Sequence, residues 1–143
     1  CANEGMWRVE EAHRIIESRA VDYICFSPYW VGSISRFMRL CHLAHFHGLQ
    51  VVRHTHGEFG LTAAVCQHLM LAIPNAADGN QHTASIMQDD ILKEALPIAA
   101  GPNWGKSSTP GIGWEVDEEK VMHYHELFQQ QGEYLTYGDK QWT

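Results

Sequence analysis

The run Val51-Val52-Arg53-His54-Thr55-His56-Gly57-Glu58 passes from apolar side chains to two imidazoles, a glycine and a carboxylate. Imidazoles exchange protons near neutral pH, and parallel α/β folds place their chemistry where the C-terminal end of a buried strand carries ionisable groups. A second apolar run, Val21 to Phe26, ends in Ser27-Pro28. Near the start of the chain, Glu4 offers a hard oxygen ligand or a cap for the helix that follows. His54-x-His56 also fits the H-x-H pattern in which two imidazoles at a strand end hold a hydrolytic zinc, a reading that needs further ligands on later strands. His82 is the sole later histidine near a candidate strand. Glu58 reads as a helix cap before a substrate contact. Trp30 follows the first strand closely enough to reach its end, whereas most tryptophans are packing groups.

The hydrophobic period supplies the elements that must position these groups. Between Trp7 and Arg19, Val9, Ala12, Ile15 and Ile16 share one helical face. Val21 to Phe26 is a buried strand. Ser33 caps a second helix with the stripe Ile34, Phe37, Met38, Cys41 and Ala44, stopped by Gly48. Leu49 to Arg53 is the next strand, and a third helix from Leu61 ends before Pro74. Gln81 to Met87 is the expected third strand, and Asp117 caps a fourth helix. Alternating strands and helices imply a parallel sheet with right-handed crossovers. The fold class is therefore α/β, either an open doubly wound sheet or part of a closed (β/α) barrel. Two regions are expected: residues 1–96 carry the strands and helices, and 97–143 form a Gly, Pro and Ser-rich loop and a helix.

A formal net charge of −7 with scattered Lys and Arg argues against a nucleic-acid partner. No apolar run approaches the roughly 18 residues of a membrane span, so neither a membrane nor a nucleic acid is an expected partner. Cys1, Cys25, Cys41 and Cys66 form no C-x-x-C pair, and the last three fall in apolar segments. They read as reduced, buried thiols of a cytoplasmic protein. The chain opens at Cys1 and its three candidate strands cannot close a barrel, which leads to the expectation of an inactive fragment.

Ala2-Asn3-Glu4-Gly5-Met6-Trp7, the strand ending at His54, Glu58-x-Gly60-Leu61, Pro74-Asn75 and Pro110-Gly111-Ile112-Gly113-Trp114-Glu115-Val116-Asp117 together resemble one family. It is the enolase superfamily, in its mandelate racemase and muconate lactonizing subgroup, and the resemblance is to the C-terminal part of the barrel domain. The resemblance implies that 97–143 returns toward an N-terminal capping domain. It also implies an essential Mg²⁺ with Glu4 as one ligand, His54 as the acid/base, and Ser27 where the family commonly has an aspartate paired with the histidine. A serine adds no charge, so His54 is expected to be a weaker base, suited to protonating a departing hydroxide. Asn80 or Gln81 stands nearest the position of the racemase's last glutamate. These departures favour an acid-sugar dehydratase that abstracts an α-proton and passes through an enediolate. A racemase, epimerase or cycloisomerase is the nearest alternative, and a non-catalytic carboxylate-binding barrel or a zinc amidohydrolase lies further off. His56, Trp30 and Asn80 are substrate-contact candidates, the ligand is a small hydroxy-carboxylate, and the whole protein is expected to be a homo-oligomer.

Overall fold

The computed structural model describes residues 1–96 and 108–132. The elements run α1 (Val9–Ser18), β1 (Tyr23–Phe26), α2 (Ile34–Phe46), β2 (Gln50–Arg53), α3 (Gly60–Ala72), a 3-10 turn at Ala84–Ile86, and α4 (Glu118–Gln131). β1 and β2 pair in parallel, with Tyr23 opposite Gln50 and Phe26 opposite Arg53. Ala2 bridges to Ile24 on one flank and Ala76 to Val51 on the other, both parallel, so the sheet continues by one residue pair on each side.

Helices cover one face of this sheet because their apolar stripes have nowhere else to hide. Ala12 and Ile16 of α1, and Phe37, Leu40, Cys41 and Ala44 of α2, close on Ile24, Phe26 and Val51. The Phe26 and Phe37 rings lie 4.6 Å apart at the centre. Ser33 caps α2 as its type predicts, accepting from Arg36 N at 3.2 Å. Gly48 takes φ of 77° where the chain leaves that helix, a conformation that costs glycine nothing. Arg19 donates to the carbonyl of His47 at 3.0 Å, satisfying the end of α2 from the end of α1. No helix among the described residues is long and apolar enough to cross a membrane.

The expected strand at Gln81 to Met87 is corrected by the structure. The third strand position falls earlier, at Ala76, and Ala84–Ile86 is a 3-10 turn. Asn75 explains the register, since its buried amide donates to Leu49 O at 2.8 Å and Cys41 O at 3.1 Å and anchors the chain against β2. Beyond Ala77 the chain bulges away, and side chains continue the ladder. Asn80 Oδ1 accepts from Arg53 N at 2.7 Å, Gln81 N donates to Arg53 O at 3.2 Å, and Gln81 Oε1 accepts from Thr55 N at 3.1 Å.

Residues 108–132 return to the α3 side. Leu92 and Val116 form an antiparallel bridge, and Leu92, Leu96, Trp114 and Val116 join Ala63 and Ala64 in a second apolar cluster. Asp117 caps α4 by accepting from Glu119 N and Lys120 N. Asp89 docks that helix, accepting from Lys120 Nζ at 2.7 Å and Tyr124 Oη at 2.9 Å. These donors, Lys120 first, hold the Asp89 carboxyl down at about 2. Most of the expected loop, residues 97–107, and the tail from 133 lie outside the described residues.

Candidate functional site

The register sets Ser27 and His54 side by side, one step beyond the last pair of β1 and β2, and His54 N donates to Phe26 O at 3.1 Å. Both side chains are buried, at 0% and 6% exposure. Ser27 Oγ and His54 Nδ1 nevertheless have no hydrogen-bond partner, so the hydroxyl is beside the imidazole without holding it. Burial pushes the His54 pKa below the ordinary imidazole value; the positive potential of His56 adds to this, and the Glu4 carboxylate opposes it ahead of a smaller push from Arg53. The weaker base expected from the serine therefore has a different main cause, desolvation.

Aromatic rings gather on His54. Trp30 lies 4.2 Å from it between centroids, and His56 4.4 Å, edge to face. Trp7 extends the stack, 5.4 Å beyond Trp30. The structure thus brings His56 and Trp30 to the histidine. Glu4 is exposed on the turn after Ala2, near enough for its charge to act on the imidazole. Asn80 is committed elsewhere: its carbonyl serves Arg53 N and its amide donates to Ala77 O at 2.9 Å, so both ends hold backbone. Among the described residues no group of three or more His, Cys, Asp or Glu gathers to hold a metal. Glu4 alone fits one oxygen-ligand position for a hard cation.

Two supports beneath the site escaped the sequence reading. Glu58 does not cap α3; it forms a buried ion pair with Arg53, whose Nη1 also donates to Gln81 O at 3.1 Å. An arginine closing an apolar run demands a counter-charge once buried, and that demand was the available signal. The cap on α3 comes from Asp90, both of whose carboxylate oxygens accept from Gly60 N, at 2.9 and 3.0 Å. Tyr29 was also missed; its hydroxyl accepts from His56 N at 3.1 Å.

Comparison with known proteins adds to this geometry. The family described as "Enolase C-terminal domain-like" matches residues 1–120. A D-galactonate dehydratase family member from Enterococcus gallinarum is 26% identical over 113 residues, 77% of this chain and 28% of its own. An isomerase from Streptomyces coelicolor A3(2) superposes with a TM-score of 0.69 at 27% identity, over 85% of this chain and 33% of that one. Muconate cycloisomerase from Pseudomonas fluorescens, at 21% identity, shares the fold with a TM-score of 0.75 over 85% and 34% of the two chains. The chain spans about a third of the length of these relatives or less.

Proposed function

Because the chain belongs to the enolase C-terminal domain-like family, we propose that it contributes the acid/base histidine and one metal-ligating carboxylate to an acid-sugar dehydratase. The observation that carries this is His54, buried at a strand end with its Nδ1 turned inward and unpartnered. A buried Nδ1 leaves Nε2 as the nitrogen that exchanges a proton with substrate. At neutral pH the lowered pKa keeps the resting ring uncharged. An anionic substrate beside it raises that pKa, charging the ring where a hydroxyl is to leave. The imidazolium so formed protonates the departing oxygen. Trp30 covers a face of the ring and limits water there. When bound, Mg²⁺ supplies the concentrated positive charge that a dianionic intermediate needs. Glu4 would be one of its ligands.

Similarity to a D-galactonate dehydratase family member supports elimination of water from a hydroxylated carboxylate. Similarity to an isomerase supports a second reading, racemisation or epimerisation through the same intermediate. The test incubates the whole protein with Mg²⁺ and a panel of acid sugars in D₂O and follows the mixture by NMR. A 2-keto-3-deoxy product is the expected result. Deuterium at the α-carbon without dehydration shifts the assignment to the isomerase, and neither signal across the panel refutes both. Glu4→Gln is expected to lose Mg²⁺ affinity in calorimetry, and unchanged affinity removes Glu4 from the ligand set.

A further inference from the structure

His54 Nδ1 lacks the hydrogen-bonded partner that fixes a catalytic imidazole, because Ser27 stands level with it and its hydroxyl bonds to nothing. What touches the ring is aromatic. The Trp30 and His54 planes are tilted by 36° at 4.2 Å, and Trp30 is braced by Trp7 at 5.4 Å and by the edge of Tyr29 at 6.2 Å. The backbone makes this placement repeatable. Trp30 N donates to Ser27 O at 3.2 Å, which folds the chain after β1 back over the strand ends. Tyr29, the preceding residue, takes the amide of His56 on its hydroxyl. Two consecutive residues of one loop therefore grip the ring of His54 and the backbone just after it.

We propose that Trp30 is a positioning residue for His54, its indole face doing by stacking what a paired carboxylate does by hydrogen bonding. The proposal rests on the acid/base reading of His54 given above. An imidazole turns about a torsion with broad wells, and a ring packed on its face removes much of that freedom. The indole face is electronegative and accommodates the charge the imidazole carries during proton transfer. The other charged or titratable groups acting on the ring are His56, Glu4 and Arg53, and none of them makes a hydrogen bond to it.

The test compares Trp30→Leu and Trp30→Phe in the whole protein, by turnover and by NMR of the His54 ring protons. The indole ring current displaces those resonances in the wild type, Trp30→Leu returns them toward ordinary histidine values, and Trp30→Phe retains part of the displacement. Turnover by Trp30→Leu is expected to fall on the order of 10²-fold in kcat, the cost of a misplaced group, with KM within about twofold. Trp30→Phe should recover most of the loss and shows that the position tolerates replacement. A raised KM with kcat intact makes Trp30 a substrate platform and overturns the proposal. So does an unchanged kcat in Trp30→Leu, or a wild-type resonance without displacement. A wild-type protein inactive on every acid sugar refutes the dehydratase reading instead, while the displaced resonance and its loss still test the stack by themselves.

Discussion

At the scale of single residues, Ser27 and His54 show how proximity differs from partnership. They share a register step, and each is buried with its polar atom unpaired. Replacing Ser27 by Ala in the whole protein should therefore change kcat by less than the roughly fivefold that one net hydrogen bond represents. A larger loss, measured with the substrate identified in D₂O, would mean that the hydroxyl acts on the ring. The protonation of His54 also has a direction. Its folded pKa is lowered by burial and then by His56, so the unfolded chain takes up the proton more readily. The resulting stability is whole above about pH 6.5, the unfolded value, and is lost as pH falls through the lower folded value. His82 shifts the same way, through burial and then Arg53. Thermal unfolding of the whole protein should show a melting temperature that drops on acidification across this window, less steeply in His54→Asn. The position of His54 was legible in the sequence because an apolar run stopping at imidazoles has few other meanings. The stack over it was not, since nothing in the spacing of Trp30 and His54 says that a turn at Ser27 folds one strand end's loop over the other.

Among the elements, the helices and both strands followed from periodicity within a residue or two, and the ends that carried a side-chain signal, Ser33 and Asp117, were read correctly. The third strand was misplaced at Gln81 to Met87 because its register depends on one buried amide, Asn75, whose bonds are visible only once α2 and β2 are packed. Glu58 was misread because a carboxylate before a helix usually serves its own helix; here Asp90, thirty residues on, takes that place. The two acids predict different losses. Glu58→Ala leaves Arg53 charged and buried, and should cost about 3–5 kcal/mol in urea unfolding of the whole protein. Asp90→Ala removes a cap and should cost nearer 1 kcal/mol. Gly60→Ala would press a Cβ into Asp90 Oδ2 and to 2.6 Å from Leu92 Cδ1, so it should lose the cap and overpack together, by about 1–3 kcal/mol. Equal effects from all three would refute this division of labour.

At the scale of the molecule, the sheet among the described residues has two full strands with one bridging residue on either flank, and the strand ends present Glu4, Ser27 and His54 on the same rim. Strands whose outer edges carry so little pairing attract further strands. Expressed alone, these 143 residues should self-associate and turn over no acid sugar. A monomer by light scattering with measurable turnover would show that this chain is sufficient for activity. The α/β order was legible from the hydrophobic period and the family from the motifs around Glu4, His54 and Pro110; the reaction was not, since a dehydratase family member and an isomerase are both among the relatives. The splice beside β2 bears on how such a protein diversifies. With the amides of Asn80 and Gln81 standing in for main chain, Asp78 and Gly79 lie outside the pairing that fixes His54. Substitutions at Asp78 and Gly79 can remodel the rim while the bonds on either side of His54 stay in place.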